Sequence, residues 1–205
     1  MSSGENRRLN ARENKKVTAI MESAQTLFAR NGYNKTTVDE IARQADVAKG
    51  TLYKYFRSKN DVFKAVVVRE NNQINHYIME AVNKADSPIK KIRALLDVKI
   101  RELRKAVTFY RVTRDVAQEL WPRMDAVRTD FLNWERNLLK DILNEGIKAG
   151  RFKIDKPEMA ANVMAIVFKS LELEWVMEQK PSQLQPEVDT LIELILWGIS
   201  GKKQG

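Results

Sequence analysis

No glycine falls between Gly50 and Gly146, and only Pro88 and Pro122 interrupt that stretch. A β-sandwich or barrel needs turn residues roughly every ten positions, so this run excludes such folds for nearly half the chain and points to an all-α architecture. Apolar spacing agrees. Val17, Ile20, Met21, Ala24, Leu27 and Phe28 recur at the intervals of one helical face, which Gly32 ends. Thr36 or Thr37 can cap a second helix with Val38, Ile41, Ala42 and Ala45 inward, and a tight turn at Ala45, Asp46 and Val47 leads to a short third helix from Ala48 to about Tyr53. Asp46 tolerates a left-handed backbone better than most residues. Ser58, with Asp61 three residues on, can cap a fourth helix running to about Lys84. Further helices are expected from Ile89 to about Glu119, from Val127 to Ala149, from Pro157 to Glu178 and from near Pro186, where Val188, Leu191, Ile192, Ile195, Leu196 and Ile199 form an amphipathic stripe. Residues before about Arg12 read as a polar arm.

The absence of cysteine removes disulfides, thiolate zinc sites and cysteine nucleophiles, and suits a reducing compartment. No apolar run is long enough to span a bilayer, so a cytoplasmic chain with no membrane partner is expected. His76, the only histidine, belongs to no catalytic or metal-ligating pattern, and neither an enzyme nor a cofactor is expected. The formal charge is +9, distributed unevenly: residues 1–60 carry net +6, the remaining 145 net +3. A basic front favours an anionic partner such as nucleic acid.

The stretch from Ala29 to Lys64 concentrates the chemistry. Two short helices joined by a tight turn, preceded by a packing helix and carrying Lys49, Lys54, Arg57 and Lys59, form a helix-turn-helix on physical grounds. Phe28, Gly32, Tyr33, Thr36, Thr37, Ile41, Ala42, Lys49, Gly50, Thr51, Leu52, Tyr53, Tyr55, Phe56, Ser58 and Lys59 stand at the fixed spacings of one motif. In these residues the chain resembles TetR-family transcriptional regulators. It departs from their pattern at Asp46, where glycine is common, and at Ala48, where a serine or threonine usually caps the third helix.

The resemblance implies an N-terminal three-helix DNA-binding domain over residues 1–58 and a C-terminal helical domain for effector binding and dimerisation over residues 59–205. It implies a repressor released from a palindromic operator by a small ligand; helix four, Lys59 to Lys84, would carry the motion, because it is expected to run unbroken between the two bodies. Thr36 and Thr37 would meet phosphate at the start of helix two, while Ala48, Lys49, Gly50, Thr51 and Lys54 would face the major groove. Tyr53 and Tyr55 would clamp phosphates, as would Lys59. Leu52 and Phe56 would hold the small core, and Tyr33 is equally a core residue or a contact.

A homodimer is expected, paired through the last two long helices as a four-helix bundle. Phe109, Tyr110, Trp121, Met124, Phe131, Trp134, Met164, Phe168 and Trp175 would line an apolar effector cavity, although their spacing suits a plain core equally. Lys90, Lys91, Arg93, Lys99, Arg101, Arg104 and Lys105 form a dense basic cluster, either a solvated face or a receptor for the phosphates of an acyl-coenzyme A type ligand. Two rival readings stay open at this level: a non-specific nucleic-acid binder, and a helical carrier or enzyme for an apolar anionic metabolite.

Overall fold

The computed structural model describes residues 3–109, 124–177 and 181–199. They form eight helices: α1 Ser3–Asn31, α2 Val38–Gln44, α3 Lys49–Tyr55, α4 Lys59–Lys84, α5 Pro88–Phe109, α6 Asp125–Lys148, α7 Pro157–Met177 and α8 Pro181–Ile199. No strand occurs among the described residues. Two starts differ from expectation. α1 runs through the polar segment to Ser3, because residues 5–16 contain good helix formers and no glycine or proline. α8 opens at Pro181, which needs no amide partner in a first turn, and Pro186 lies inside it. The expected end of the fifth helix near Glu119 lies outside the described residues.

The described residues divide into two compact units. The first holds 3–70, 108, 109 and 124; the second holds 71–107, 125–177 and 181–199. α4 is one continuous helix that contributes to both.

In the first unit Ile20, Ala24, Leu27 and Phe28 of α1 are buried with Ile41 and Ala42 of α2, Leu52 of α3 and Val62, Phe63 and Val66 of α4. Phe28, Tyr33 and Phe63 form a ring trio with centroids 5.0 to 5.7 Å apart, so Tyr33 is a core residue. Gly32 adopts φ +79° past the end of α1, a conformation glycine takes without steric cost. The end of α2 is a Schellman turn: Val47 N–H donates to Ala42 O at 3.0 Å and Asp46 N–H to Arg43 O at 3.2 Å. Asp46 takes the left-handed position at φ +53°, as the sequence suggested.

The second unit is built around Ile78, Ile92, Leu95, Leu96, Leu139, Leu143, Ala165, Phe168 and Ile192, drawn from all five of its helices. Gly146 lets the ring of Phe152 fold back onto α6, since a Cβ there would overlap the ring. Among the described residues no helix is long and apolar enough to cross a membrane.

Candidate nucleic-acid interface

α2 begins with a reciprocal capping box. Thr37 Oγ1 accepts from Glu40 N–H at 3.2 Å, while the Glu40 carboxylate accepts from Thr37 N–H at 2.8 Å and from the Thr37 hydroxyl at 2.9 Å. Those bonds, led by the backbone donor, hold the Glu40 carboxyl below its ordinary pKa. Thr36 departs from its expected role. It is 1% exposed, and its hydroxyl donates to Gly32 O at 2.8 Å and Leu27 O at 3.2 Å. That proton ties the turn to α1. Thr37 is exposed at the surface, and its hydroxyl would have to leave the Glu40 carboxylate to donate to a phosphate.

α3 buries Leu52 completely and carries Lys49, Gly50, Tyr53 and Lys54 outward, with Thr51 and Tyr55 half-buried at the flanks. Phe56, just past α3, is also in the core. Tyr53 is 45% exposed. Ala48 occupies the N-cap and supplies no side-chain bond, as its methyl group dictates. Gly50 is informative because nothing among the described residues requires it. A Cβ there would meet no atom within 4 Å, and its backbone is ordinary helix. Glycine in a helix costs up to about 1 kcal/mol relative to alanine, so the bare backbone at this exposed position has no internal justification.

Two basic residues make contacts that motif spacing did not foresee. Lys49 Nζ lies 2.6 Å from Asp39 Oδ1 of α2, a hydrogen-bonded pair that raises the lysine pKa. Lys59 donates to Tyr33 O at 2.8 Å and Asn34 O at 3.3 Å and lies 4.3 Å from the centroid of the Tyr33 ring. Its ammonium is thereby engaged with the carbonyls of the α1–α2 turn, which the expectation of a purely phosphate-binding lysine had missed.

The expected effector residues are only partly brought together. Tyr110 and Trp121 lie outside the described residues, as do the side chains of Phe109 and Trp175. Met124 is buried and belongs to the first unit. Met164 and Phe168 are core residues of the second unit, and Phe131 and Trp134, with ring centroids 5.9 Å apart, pack against that core. A recess of about 660 Å³ in the second unit is lined by Arg136, Lys156, Pro157, Glu158, Met159 and Asn162, none of which the aromatic pattern indicated.

The basic cluster on α5 is largely paired within the protein. Lys90 meets Asp86, Lys91 meets Glu145, Arg93 meets Asp189, and Arg101 and Lys105 share Glu102. Lys99 is buried against Glu135. A phosphate would have to compete with carboxylates already in place.

Residues 20–66 match the family model for bacterial regulatory proteins of the tetR family, and residues 69–198 match the model for the C-terminal region of YsiA-like proteins. The chain is 26% identical to the fatty acid metabolism regulator protein of Bacillus subtilis, over 91% of this chain and 97% of that protein. A solved structure of a putative fatty acid metabolism regulator from Clostridium perfringens is 30% identical, covers 90% of this chain and all of its own, and superposes with a TM-score of 0.57. The fatty acid degradation regulator FadR from Bacillus halodurans is 26% identical, covers 88% of this chain and 94% of its own, and gives a TM-score of 0.64. A helix-turn-helix of this geometry, joined to a helical body that a regulator-family model covers nearly end to end, places the chain in the TetR family of DNA-binding bacterial transcriptional regulators.

Proposed function

We propose that this protein is a homodimeric repressor that sets α3 of each subunit into successive major grooves of a palindromic operator and leaves it when a fatty-acid-derived ligand, such as an acyl-coenzyme A, occupies the C-terminal body. In this reading residues 1–58 grip DNA and residues 59–205 sense and dimerise. Thr37 meets a phosphate beside α2; Lys49, Gly50, Thr51 and Lys54 enter the groove at the start marked by Ala48; Tyr53 and Tyr55 hold the flanking backbone. The single observation that carries it is Gly50, a helical glycine with open space on its own chain, placed where a nucleic-acid surface would approach most closely.

Dimerisation is supported by large apolar side chains left at the surface of the last two helices. Met159, Val163 and Ile166 form one stripe on α7, and Leu194 of α8 is 67% exposed. The ligand class is supported by the names of the relatives, which regulate fatty acid metabolism or degradation. Two recognition helices spaced about 34 to 36 Å apart read one face of the duplex, and a ligand that favours another spacing releases it.

The test is selection of bound duplexes from a random pool at near-physiological salt, followed by titration of the complex with acyl-coenzyme A of several chain lengths. An enriched palindrome released by long acyl chains is the expected result. Enrichment of a palindrome that no acyl-coenzyme A releases would retire the ligand assignment alone; binding without enrichment would retire the repressor reading.

A further inference from the structure

We propose that Asp39 is a positioning residue that makes Lys49 the reader of a guanine edge instead of a general phosphate grip. The proposal rests on the reading that α3 enters the major groove. Lys49 is the first residue of α3, where the helix dipole disfavours a cation, and the first turn of α3 contains no acidic residue to offset it. The missing counter-charge comes from the neighbouring helix: Asp39, in the first turn of α2, where a carboxylate is favoured, lies 2.6 Å from the ammonium. Glu40, the other acid of that turn, is committed to the capping box with Thr37. Asp39 is therefore the carboxylate in place to hold Lys49.

Both side chains remain more than half exposed, so the pair contributes little to folding. Its effect is geometric. A free lysine samples many rotamers and finds whichever phosphate is nearest, whereas a lysine tethered through one of its three hydrogens offers the other two from a defined point. Guanine presents O6 and N7 together in the major groove, and two donors fixed in space select that edge. Asp39 also repels phosphates, which penalises any docking that does not return a base contact. Lys54, at the other end of α3, has no ion-pair partner among the described residues and keeps the reach of an ordinary phosphate contact.

The experiment repeats duplex selection from one random pool with full-length wild type, Lys49→Ala, Asp39→Asn and Asp39→Glu, then titrates each against the duplex that wild type enriches and a scrambled duplex of equal length. Lys49→Ala and Asp39→Asn are expected to lose preference at the same base pair of each half-site. Asp39→Asn should bind the enriched duplex roughly tenfold more weakly and the scrambled one equally or more tightly, with Asp39→Glu recovering part of the loss. Adding Asp39→Asn to Lys49→Ala should cost nothing further.

Preference retained in Asp39→Asn but lost in Lys49→Ala would leave the groove reading standing and overturn the role of Asp39. Losses at different base pairs, or losses that add in the double variant, would overturn it equally. An Asp39→Asn protein whose thermal midpoint falls along with its affinity would place Asp39 in the fold and not in recognition. If wild type enriches no duplex, the groove reading itself fails and this proposal with it.

Discussion

Lys99 Nζ lies 2.9 Å from each carboxylate oxygen of Glu135, with the two side chains only 3% and 1% exposed, and the ammonium stands 5.3 Å from the centroid of the Phe131 ring. Opposite charges so far from water hold one another at the cost of two desolvations. Removing one partner strands the other. Lys99→Met and Glu135→Leu are each expected to lower unfolding free energy by about 3 to 5 kcal/mol, while the double substitution recovers most of the loss. Urea denaturation of the four proteins completes the cycle, and equal additive losses would show that the two charges act independently.

Gly50→Ala separates stability from recognition. With no atom within 4 Å of the new methyl group, the folded protein should gain up to about 1 kcal/mol from the better helix former. Binding to the selected operator should fall at least about tenfold if the duplex approaches this backbone closely. Calorimetry and a binding titration on the same preparation check both signs, and undiminished affinity would remove Gly50 from the interface.

Gly146→Ala should act in the opposite way on the fold. Its methyl group would overlap the Phe152 ring, which is 5% exposed and has little space to retreat, so a loss of about 1 to 3 kcal/mol is expected from overpacking. Phe152→Leu in the same chain should return part of it. A Gly146→Ala midpoint equal to wild type would mean that the ring moves aside freely.

Asp97 gives a pH dependence of defined sign. Desolvation pushes its carboxyl above the ordinary value, against the opposing pull of Arg93 and a hydrogen bond from Gln185. A raised folded pKa contributes stability that is complete below the unfolded value and is lost as pH rises through the folded one. Asp97→Asn should therefore match wild type most closely at acidic pH and gain on it toward neutrality. Thermal midpoints of the two proteins from about pH 4 to about pH 7 test this; a gap that is constant across the series would exclude Asp97 as its source.

The exposed apolar stripe on α7 predicts its own disruption. Val163→Glu places a carboxylate at the middle of Met159, Val163 and Ile166 and should shift the protein from dimer to monomer in sedimentation, with operator affinity falling as the second half-site is lost. A Val163→Glu protein that sediments as a dimer would move the interface elsewhere.

Helix periodicity and turn chemistry carry most of the fold into view, because Gly32, Asp46 and the caps at Thr37 and Ser58 impose local conformations that neighbours in sequence already specify. What escapes is whatever depends on partners distant along the chain. The motif placed Thr36 on a phosphate, yet its hydroxyl is used by a carbonyl nine residues earlier. Charge density placed Lys99 in a basic surface cluster. The contrary signal was present: Lys99 continues the stripe of Ile92, Leu95 and Leu96, and Glu135 lies between Phe131 and Leu139, so each charge sits on an inward face that only an opposite charge can make tolerable. The aromatic set is hard to assign for a related reason, since composition cannot distinguish rings that pack against one another from rings that surround a space.

Lys59 has a mechanical consequence. It is the first residue of α4, and its ammonium reaches back to the carbonyls of Tyr33 and Asn34 just ahead of α2. The peptide path from α2 to α4 passes through α3 and the short link at Arg57 and Ser58, but this side chain spans it as a strut. The first turn of α4 is thereby fastened to the turn that follows α1 by a side chain as well as by the backbone.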